Sequence, residues 1–140
     1  MTALSTDINR VYELGNINEF PVAAKSLIYQ GAAVGSNSNG FAQPLKPTDQ
    51  FLGFAEDRVD NLSGSDGLKN IRVRKKGAVL LEISGVTLAD INKAVYATND
   101  NSFALSSADD AVYIGQISRI DSSGFALVEF SSSALRPAKS

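Results

Sequence analysis

The stretch Ala111-Val-Tyr-Ile-Gly-Gln-Ile-Ser-Arg-Ile-Asp121, then Ser122-Ser123-Gly124, then Phe125-Ala-Leu-Val-Glu-Phe-Ser131, predicts the fold of this chain. Two apolar segments of strand length enclose a short Ser-Gly turn. Short apolar segments bounded by turn residues are typical of β-strands. Glycine supplies the positive φ that hairpin turns require. We therefore expect two antiparallel strands, Ala111–Asp121 and Phe125–Ser131, joined by a hairpin turn.

The same pattern continues along the chain, where short apolar segments alternate with turns rich in Gly, Ser and Asn. The other predicted strands are Val11–Leu14, Val22–Gln30, Phe51–Asp60, Leu68–Arg74, Ala78–Ser84 and Ala94–Thr98. Lys75-Lys76-Gly77 predicts a three-residue hairpin loop, and Gly31–Gly40 predicts a flexible one. One short helical turn is expected near 87–91, because Thr87 and Asp90 resemble a capping box. The pattern predicts an all-β fold.

A weak internal repeat organises these strands. At an offset of 62 residues, Phe51-Leu-Gly53 matches Tyr113-Ile-Gly115, and the repeat also aligns Tyr29 with Tyr96. It predicts two similar β units, at about 22–84 and 85–131, that share one core as a compact β-barrel or β-sandwich. An extended N-terminal arm (1–20), a single β-domain (21–131) and a C-terminal tail (132–140) complete the expected organisation.

Composition narrows the chemistry. The 140 residues include no His, Cys or Trp, and the net charge is −2. Without His or Cys the usual ligands of zinc, haem and iron–sulfur centres are missing, as are histidine and cysteine catalysts. No apolar segment approaches the length of a membrane span, and the N-terminus does not resemble a signal peptide. The sequence therefore predicts no enzyme, cofactor, metal site or membrane partner.

The remaining ionisable clusters favour structural roles. The basic group Lys69, Arg72, Arg74, Lys75 and Lys76 alternates with Ile71 and Val73, which is typical of the solvated face of a strand. No aromatic side chain alternates there to stack bases, so nucleic acid is not expected as a partner. Contact of this group with an acidic protein surface stays open. The Asp and Glu clusters lie mostly at strand ends, beside turns.

Eight residues are candidates for an interface with a partner or with another copy. The apolar residues of the N-terminal arm exceed what a solvated tail would carry, and Phe54 aligns with the polar Gln116, which predicts an exposed aromatic side chain. The candidates are Leu4, Ile8, Val11, Tyr12, Phe20, Phe54, Arg72 and Arg74.

Three segments carry a resemblance to a known family. They are Gly85-Val-Thr-Leu-Ala-Asp-Ile-Asn-Lys-Ala-Val-Tyr-Ala-Thr-Asn-Asp-Asn-Ser-Phe-Ala-Leu105, Tyr113-Ile-Gly-Gln-Ile117 and Ser123-Gly-Phe-Ala-Leu-Val-Glu-Phe130. Together they resemble the capsid decoration (cement) proteins of tailed bacteriophages, whose small β-domain is internally duplicated. The likeness covers about 22–131. One departure is Asn92, where the family pattern has Gly; Asn best tolerates the left-handed conformation after Gly.

The resemblance implies a virion structural protein without catalysis or cofactor. Such a protein is made in the host cytoplasm and binds the outer capsid surface. Its partners are the major capsid protein and itself, as a homotrimer, and it stabilises the head by bridging capsid subunits. The alternative is a receptor- or carbohydrate-binding module on the virion surface, which exposed aromatic residues on loops would favour. An enzyme with a carboxylate or Tyr site and a nucleic-acid binder are disfavoured by composition and charge.

Overall fold

Twelve strands and two 3-10 helices form the regular structure in the computed structural model, which describes residues 3, 5–7 and 15–133. The strands are β1 (Ile17–Pro21), β2 (Ser26–Ile28), β3 (Ala33–Ser36), β4 (Ala42–Pro44), β5 (Gln50–Ala55), β6 (Val59–Asn61), β7 (Asn70–Arg74), β8 (Lys76–Glu82), β9 (Ala94–Asn99), β10 (Ser102–Ala104), β11 (Val112–Ser122) and β12 (Phe125–Ser131). The 3-10 helices are Leu88–Asp90 and Ala108–Asp110. The all-β prediction is confirmed.

Two five-stranded antiparallel sheets carry most of the fold. The first sheet has the order β1-β7-β5-β3-β4, and the second sheet has the order β8-β12-β11-β9-β10. The two sheets have the same topology. When the five strands of each sheet are counted in chain order, the first strand lies beside the fifth, and the second lies beside the third and the fourth. A small sheet of β2 and β6 belongs only to the first half. The fold is therefore two units of one topology, 17–74 and 76–131.

Strand register confirms one predicted equivalence. Gly53 lies opposite Val34 in the first sheet, and Gly115 lies opposite Val95 in the second. An irregularity in the register adjoins each glycine, so Leu52 and Ile114 are the extra residues of two matching bulges. A Cβ atom on Gly53 would lie 2.3 Å from the Arg74 carbonyl oxygen. On Gly115 it would lie 2.0 Å from the Glu129 carbonyl oxygen. Both glycines are thus required by close backbone contact.

Other details of the repeat were wrong. Gly35, and not Tyr29, occupies the position of Tyr96, because Gly35 pairs with Phe51 as Tyr96 pairs with Tyr113. The segment expected to be one loop, 31–40, contains β3. The unit boundary also falls earlier than predicted. β8 pairs with β12 of the second sheet, so the chain crosses between sheets at Lys75 and forms no hairpin there.

The expected N-terminal arm ends sooner than predicted. Residues 17–21 form β1, which pairs with β7 from Ile17 opposite Arg74 to Pro21 opposite Asn70. Phe20 lies opposite Ile71 and packs against the core of the first unit. The predicted repeat places β8, the counterpart of β1, in the first unit, and so leaves 17–21 outside the repeat. Residues 8–14, including the predicted strand Val11–Leu14, lie outside the described residues, as do 134–140 of the tail.

Two clusters of buried residues form the core. One lies within the first unit and includes Val22, Ile28, Val34, Ile71 and Val73. The larger one combines the inner face of the second sheet with four residues of the first unit, which are Ala33, Leu45, Phe51 and Phe54. The first sheet is therefore packed on both faces, whereas the second sheet buries one face.

The helical turn predicted near 87–91 is present, and a second 3-10 helix, Ala108–Asp110, was not expected. The Asp90 carboxylate accepts a hydrogen bond from the Thr87 backbone N–H at 2.8 Å, and it forms an ion pair with Lys93, whose Nζ lies 2.9 Å away. Asn92 follows with φ of 72°, which is the left-handed conformation predicted for it.

Candidate interaction surface

Phe54 does not lie on the surface. Its side chain is 7% exposed and packs between the two units, with its ring centroid 4.9 Å from Phe130, 5.6 Å from Phe51 and 6.1 Å from Phe103. The prediction of an exposed aromatic side chain is wrong, because the second half of the same chain covers this ring. Phe54 is therefore a core residue and not an interface residue.

Arg72 and Arg74 are exposed, on the outer face of the first sheet beside the region covered by the second unit. Arg74 Nη2 lies 3.0 Å from Glu56 Oε1, and Arg72 stands opposite Glu19 on β1. Each Arg thus has a carboxylate near it. This balance makes the face a solvated surface with mixed charge, available for polar contacts.

The predicted apolar contacts of the N-terminal region are divided. Phe20 is half-buried in the core of the first unit, so it is not free for a partner. Leu4, Ile8, Val11 and Tyr12 lie outside the described residues. Their role stays a prediction.

An apolar strip on the outer face of the second sheet was not predicted. Leu80 on β8 lies directly opposite Leu127 on β12, and Phe125 lies two residues before Leu127 on the same face. Leu80 is 48% exposed, Phe125 is 38% exposed and Leu127 is partly exposed. Glu82 and Glu129 stand beside them on the same strands. We call Leu80, Phe125 and Leu127 the apolar strip.

The first sheet provides an internal comparison for this strip. Phe54 and Gln116 follow the equivalent glycines, and they pair with Arg74 and Glu129 respectively. Arg72 lies two residues before Arg74, and Leu127 lies two residues before Glu129, so Arg72 corresponds to Leu127. Their partners on the neighbouring strands, Glu19 and Leu80, correspond as well. By the same count Asn70 corresponds to Phe125. The fold accepts polar side chains at all three positions, so the apolar residues of the second sheet are not required by the fold.

A second feature of this face is an aromatic pair. The Tyr96 and Tyr113 rings meet edge to face with centroids 5.8 Å apart. Burial raises the pKa of Tyr113, and the neighbouring Tyr96 adds to the effect. Both effects favour the neutral form of the Tyr113 phenol.

A groove lies at one end of the second sheet. This open groove of about 470 Å³ lies between the start of β5, the start of β11 and the end of β12. Its carboxylate, Asp49, is engaged by the Gln43 amide at 3.0 Å and by the Lys46 N–H at 3.0 Å. In the part of the chain that the structure describes, no three His, Cys, Asp or Glu side chains are placed to hold a metal ion.

Sequence patterns missed the apolar strip for a physical reason. Leu80 and Leu81 are adjacent, so they point to opposite faces of the sheet, and Leu81 alone is buried. An unbroken apolar run such as Ala78–Leu81 does not tell which face is covered. The one available signal was that both faces of the run are apolar.

No family model matches this chain, and no curated protein matches it either. The resemblance described above thus rests on the quoted segments alone. Among the described residues, no helix is long and apolar enough to cross a membrane.

Proposed function

We propose that this chain is a capsid decoration protein of a tailed bacteriophage. In this role it is made in the host cytoplasm and binds the outer surface of the head. It acts through contact area alone and bridges neighbouring copies of the major capsid protein. The observation that carries the proposal is the pairing of a two-unit β fold with an apolar strip that the fold itself does not need.

The apolar strip supports a contact role. Exposed apolar groups that are contiguous and rimmed by charged residues mark protein interaction sites. Stable interfaces bury on the order of 800 Å² per partner, and a few anchors such as Phe125 and Leu127 supply most of the affinity. Repetition over a capsid adds avidity to contacts that are individually weak. A protein of this kind uses no cofactor, metal or nucleic acid.

The proposed assembly is a small homo-oligomer, and the resemblance implies a trimer. A closed ring presents the same surface to several capsid subunits at once. A single 14.8 kDa copy has little surface with which to reach more than one of them.

The experiment uses phage heads that lack their decoration protein. Purified chain is added, the heads are recovered by sedimentation, and their disruption by heat or chelator is measured. We expect saturable binding and greater resistance to disruption. Heads that bind no protein, or that bind it without becoming more resistant, contradict the proposal.

A virion-surface module that binds receptors or carbohydrate is the second candidate. Tyr29 favours it, since this side chain is 55% exposed in a turn and the Arg58 guanidinium lies 5.6 Å from its ring centroid. Exposed aromatic rings commonly stack on sugars or cations. Binding to an immobilised glycan panel that is lost in Tyr29→Ala would favour this candidate over the decoration role.

A further inference from the structure

The two edge strands of the second sheet are β10 and β8, and β8 pairs only with β12 among the described strands. At one end, the Ser132 N–H donates to the Lys75 carbonyl, and at the other, the Ile83 N–H donates to the Gly124 carbonyl. The N–H and C=O groups of the odd-numbered residues of β8 therefore point toward β12. Because backbone groups alternate in direction along a strand, the even-numbered residues present their N–H and C=O groups to the open side. These are Lys76, Ala78, Leu80 and Glu82.

The equivalent edge in the first sheet is protected. Strand β1 has five residues, and Pro21 occupies the position that corresponds to Glu82. Proline has no N–H to offer to an added strand, and Pro and charged residues are common on edges that must stay unpaired. Glu19 of β1 likewise corresponds to Leu80. Strand β8 has no proline, carries its charged residues only at its two ends, Lys76 and Glu82, and is seven residues long.

The sequence of β8 is complementary to itself. Written Lys76-Gly-Ala-Val-Leu-Leu-Glu82, it carries a cation at its start and an anion at its end. In an antiparallel pair of two such strands centred on Val79, Lys76 of each copy stands opposite Glu82 of the other. Ala78 stands opposite Leu80. This register joins even-numbered residues, which are the ones whose backbone groups face no partner strand among residues 15–133.

We propose that β8 pairs with β8 of a second copy of this chain, and so joins two second sheets into one continuous sheet. The contact would form about eight backbone hydrogen bonds and two cross-strand ion pairs. It is two-fold symmetric, with the same surface on both copies. The charge complementarity of the strand with itself selects a second copy, and not a foreign strand, as the occupant.

The apolar strip lies beside this edge and extends the contact. Leu80 of each copy comes next to Ala78 of the other, and Leu127 lies one strand behind Leu80 on the same face. Pairing thus covers part of the surface that the fold leaves open. The inference rests on the proposed function in one respect, because it names one contact between copies of a homo-oligomer, in addition to the threefold contact that a trimer requires. A two-fold contact through β8 leaves other surfaces free for a threefold contact.

Mass measurement of the purified chain at about 50 µM, by light scattering coupled to size exclusion, tests the pairing. We expect an even multiple of the 14.8 kDa monomer mass. The variant Leu80→Glu/Glu82→Pro, which gives β8 the residues of the β1 edge, should have half the wild-type mass. The control Leu68→Glu/Leu88→Glu removes two exposed leucines elsewhere and should keep the wild-type mass. An odd multiple for the wild type, or a variant with unchanged mass, overturns the inference.

Charge exchange tests the register and does not depend on the proline variant folding. Lys76→Glu alone places Glu opposite Glu82 at both ends, and Glu82→Lys alone places Lys opposite Lys76. Each single variant should weaken pairing by about 10-fold, because like charges directly opposite each other repel. The double variant Lys76→Glu/Glu82→Lys restores both ion pairs and should recover the wild-type dissociation constant to within about 3-fold. Lys46→Glu is the control for net charge. A double variant as weak as the singles overturns the proposed pairing.

Head binding, measured in parallel, separates this inference from the proposed function. Chain that pairs through β8 but does not bind or stabilise heads contradicts the decoration role and leaves the pairing intact. Chain that stabilises heads equally well as wild type and as Leu80→Glu/Glu82→Pro, with no change of mass, overturns the pairing and leaves the decoration role intact.

Discussion

The two five-stranded sheets share one topology and one pair of bulges, yet they differ in what covers their outer faces. In the first sheet, Phe51 and Phe54 pack against the second unit, and the rest of the face carries Glu19, Arg72 and Arg74. In the second sheet, the equivalent face is open and carries the apolar strip. Because the two sheets share one fold, comparing them distinguishes the residues that the fold requires from the residues that are available for contacts with other molecules. Residues common to both sheets serve the fold, and residues that differ mark surfaces with separate uses.

The largest expected effect tests the residues that are common to both sheets. Gly53→Ala and Gly115→Ala each place a Cβ within 2.3 Å of a backbone oxygen, so the neighbouring strand must move. We expect each to lower the free energy of unfolding by about 4 kcal/mol, measured by urea denaturation. Gly31→Ala is the control for Gly53, because both glycines have a positive φ but the added Cβ at Gly31 meets no atom within 4 Å; it should cost about 1 kcal/mol. Gly115 has no positive φ, so its loss reports the close backbone contact alone. A loss at Gly53 or Gly115 no larger than that at Gly31 would break the equivalence of the two sheets.

The second largest expected effect concerns Phe54 and Gln116, which are equivalent positions that differ in burial between the two sheets. Phe54→Gln gives the first sheet the residue of the second and removes a ring from the aromatic cluster between the units. The expected loss is about 3 kcal/mol of unfolding free energy, since truncation of a buried aromatic group leaves a cavity. The reciprocal change, Gln116→Phe at an exposed position, should cost less than about 0.5 kcal/mol. Similar losses from both substitutions would contradict the different cover of the two faces.

Asp90 belongs to the second unit alone, and its effect depends on pH. The hydrogen bond from Lys93, followed by that from the Thr87 backbone, holds the pKa of Asp90 below its ordinary value of 3.8. The unfolded chain therefore binds the proton first. The stabilisation is complete above about pH 3.8 and is lost as the pH falls through the lower pKa of the folded state. Urea denaturation between pH 2 and pH 6 should show a smaller loss of stability in Asp90→Asn.

Lys93→Met is the matched variant for this titration, because it removes the main cause of the lowered pKa and keeps the carboxylate. Its acid dependence should fall between those of the wild type and Asp90→Asn. An unchanged profile in both variants would show that Asp90 has no part in the acid dependence.

The smallest effect concerns Tyr113, the counterpart of Phe51. Tyr113→Phe makes the two positions alike and should change the free energy of unfolding by less than about 0.5 kcal/mol at pH 7. Burial holds the pKa of Tyr113 above its ordinary value of 10.0, so the unfolded chain ionises first and stability falls as the pH rises above about 10. Tyr113→Phe should lose that share of the alkaline dependence. A larger neutral-pH effect would indicate a hydrogen bond that the fold depends on.

Sequence reasoning succeeded where a local pattern and a local cause coincide. The hairpin of β11 and β12, the turn at Thr87–Asp90 and the left-handed Asn92 follow from residues close together in the chain. Gly53 and Gly115 were also found, because each sits in the same short aromatic-aliphatic-Gly segment. The weak points were the strands of three or four residues, β3, β4 and β10, which are too short for a periodic signal.

The sequence by itself determined the all-β class and the duplication, since alternation, turn residues and glycines act within a few positions of themselves. Only the tertiary structure decided which strands share a sheet. It placed β8 beside β12 and not beside β7, it covered Phe54 with the second unit, and it left Leu80 and β8 open. The physical reason is that burial and strand pairing depend on chain segments far apart in sequence. An apolar side chain gives the same local signal whether a neighbouring unit covers it or nothing does.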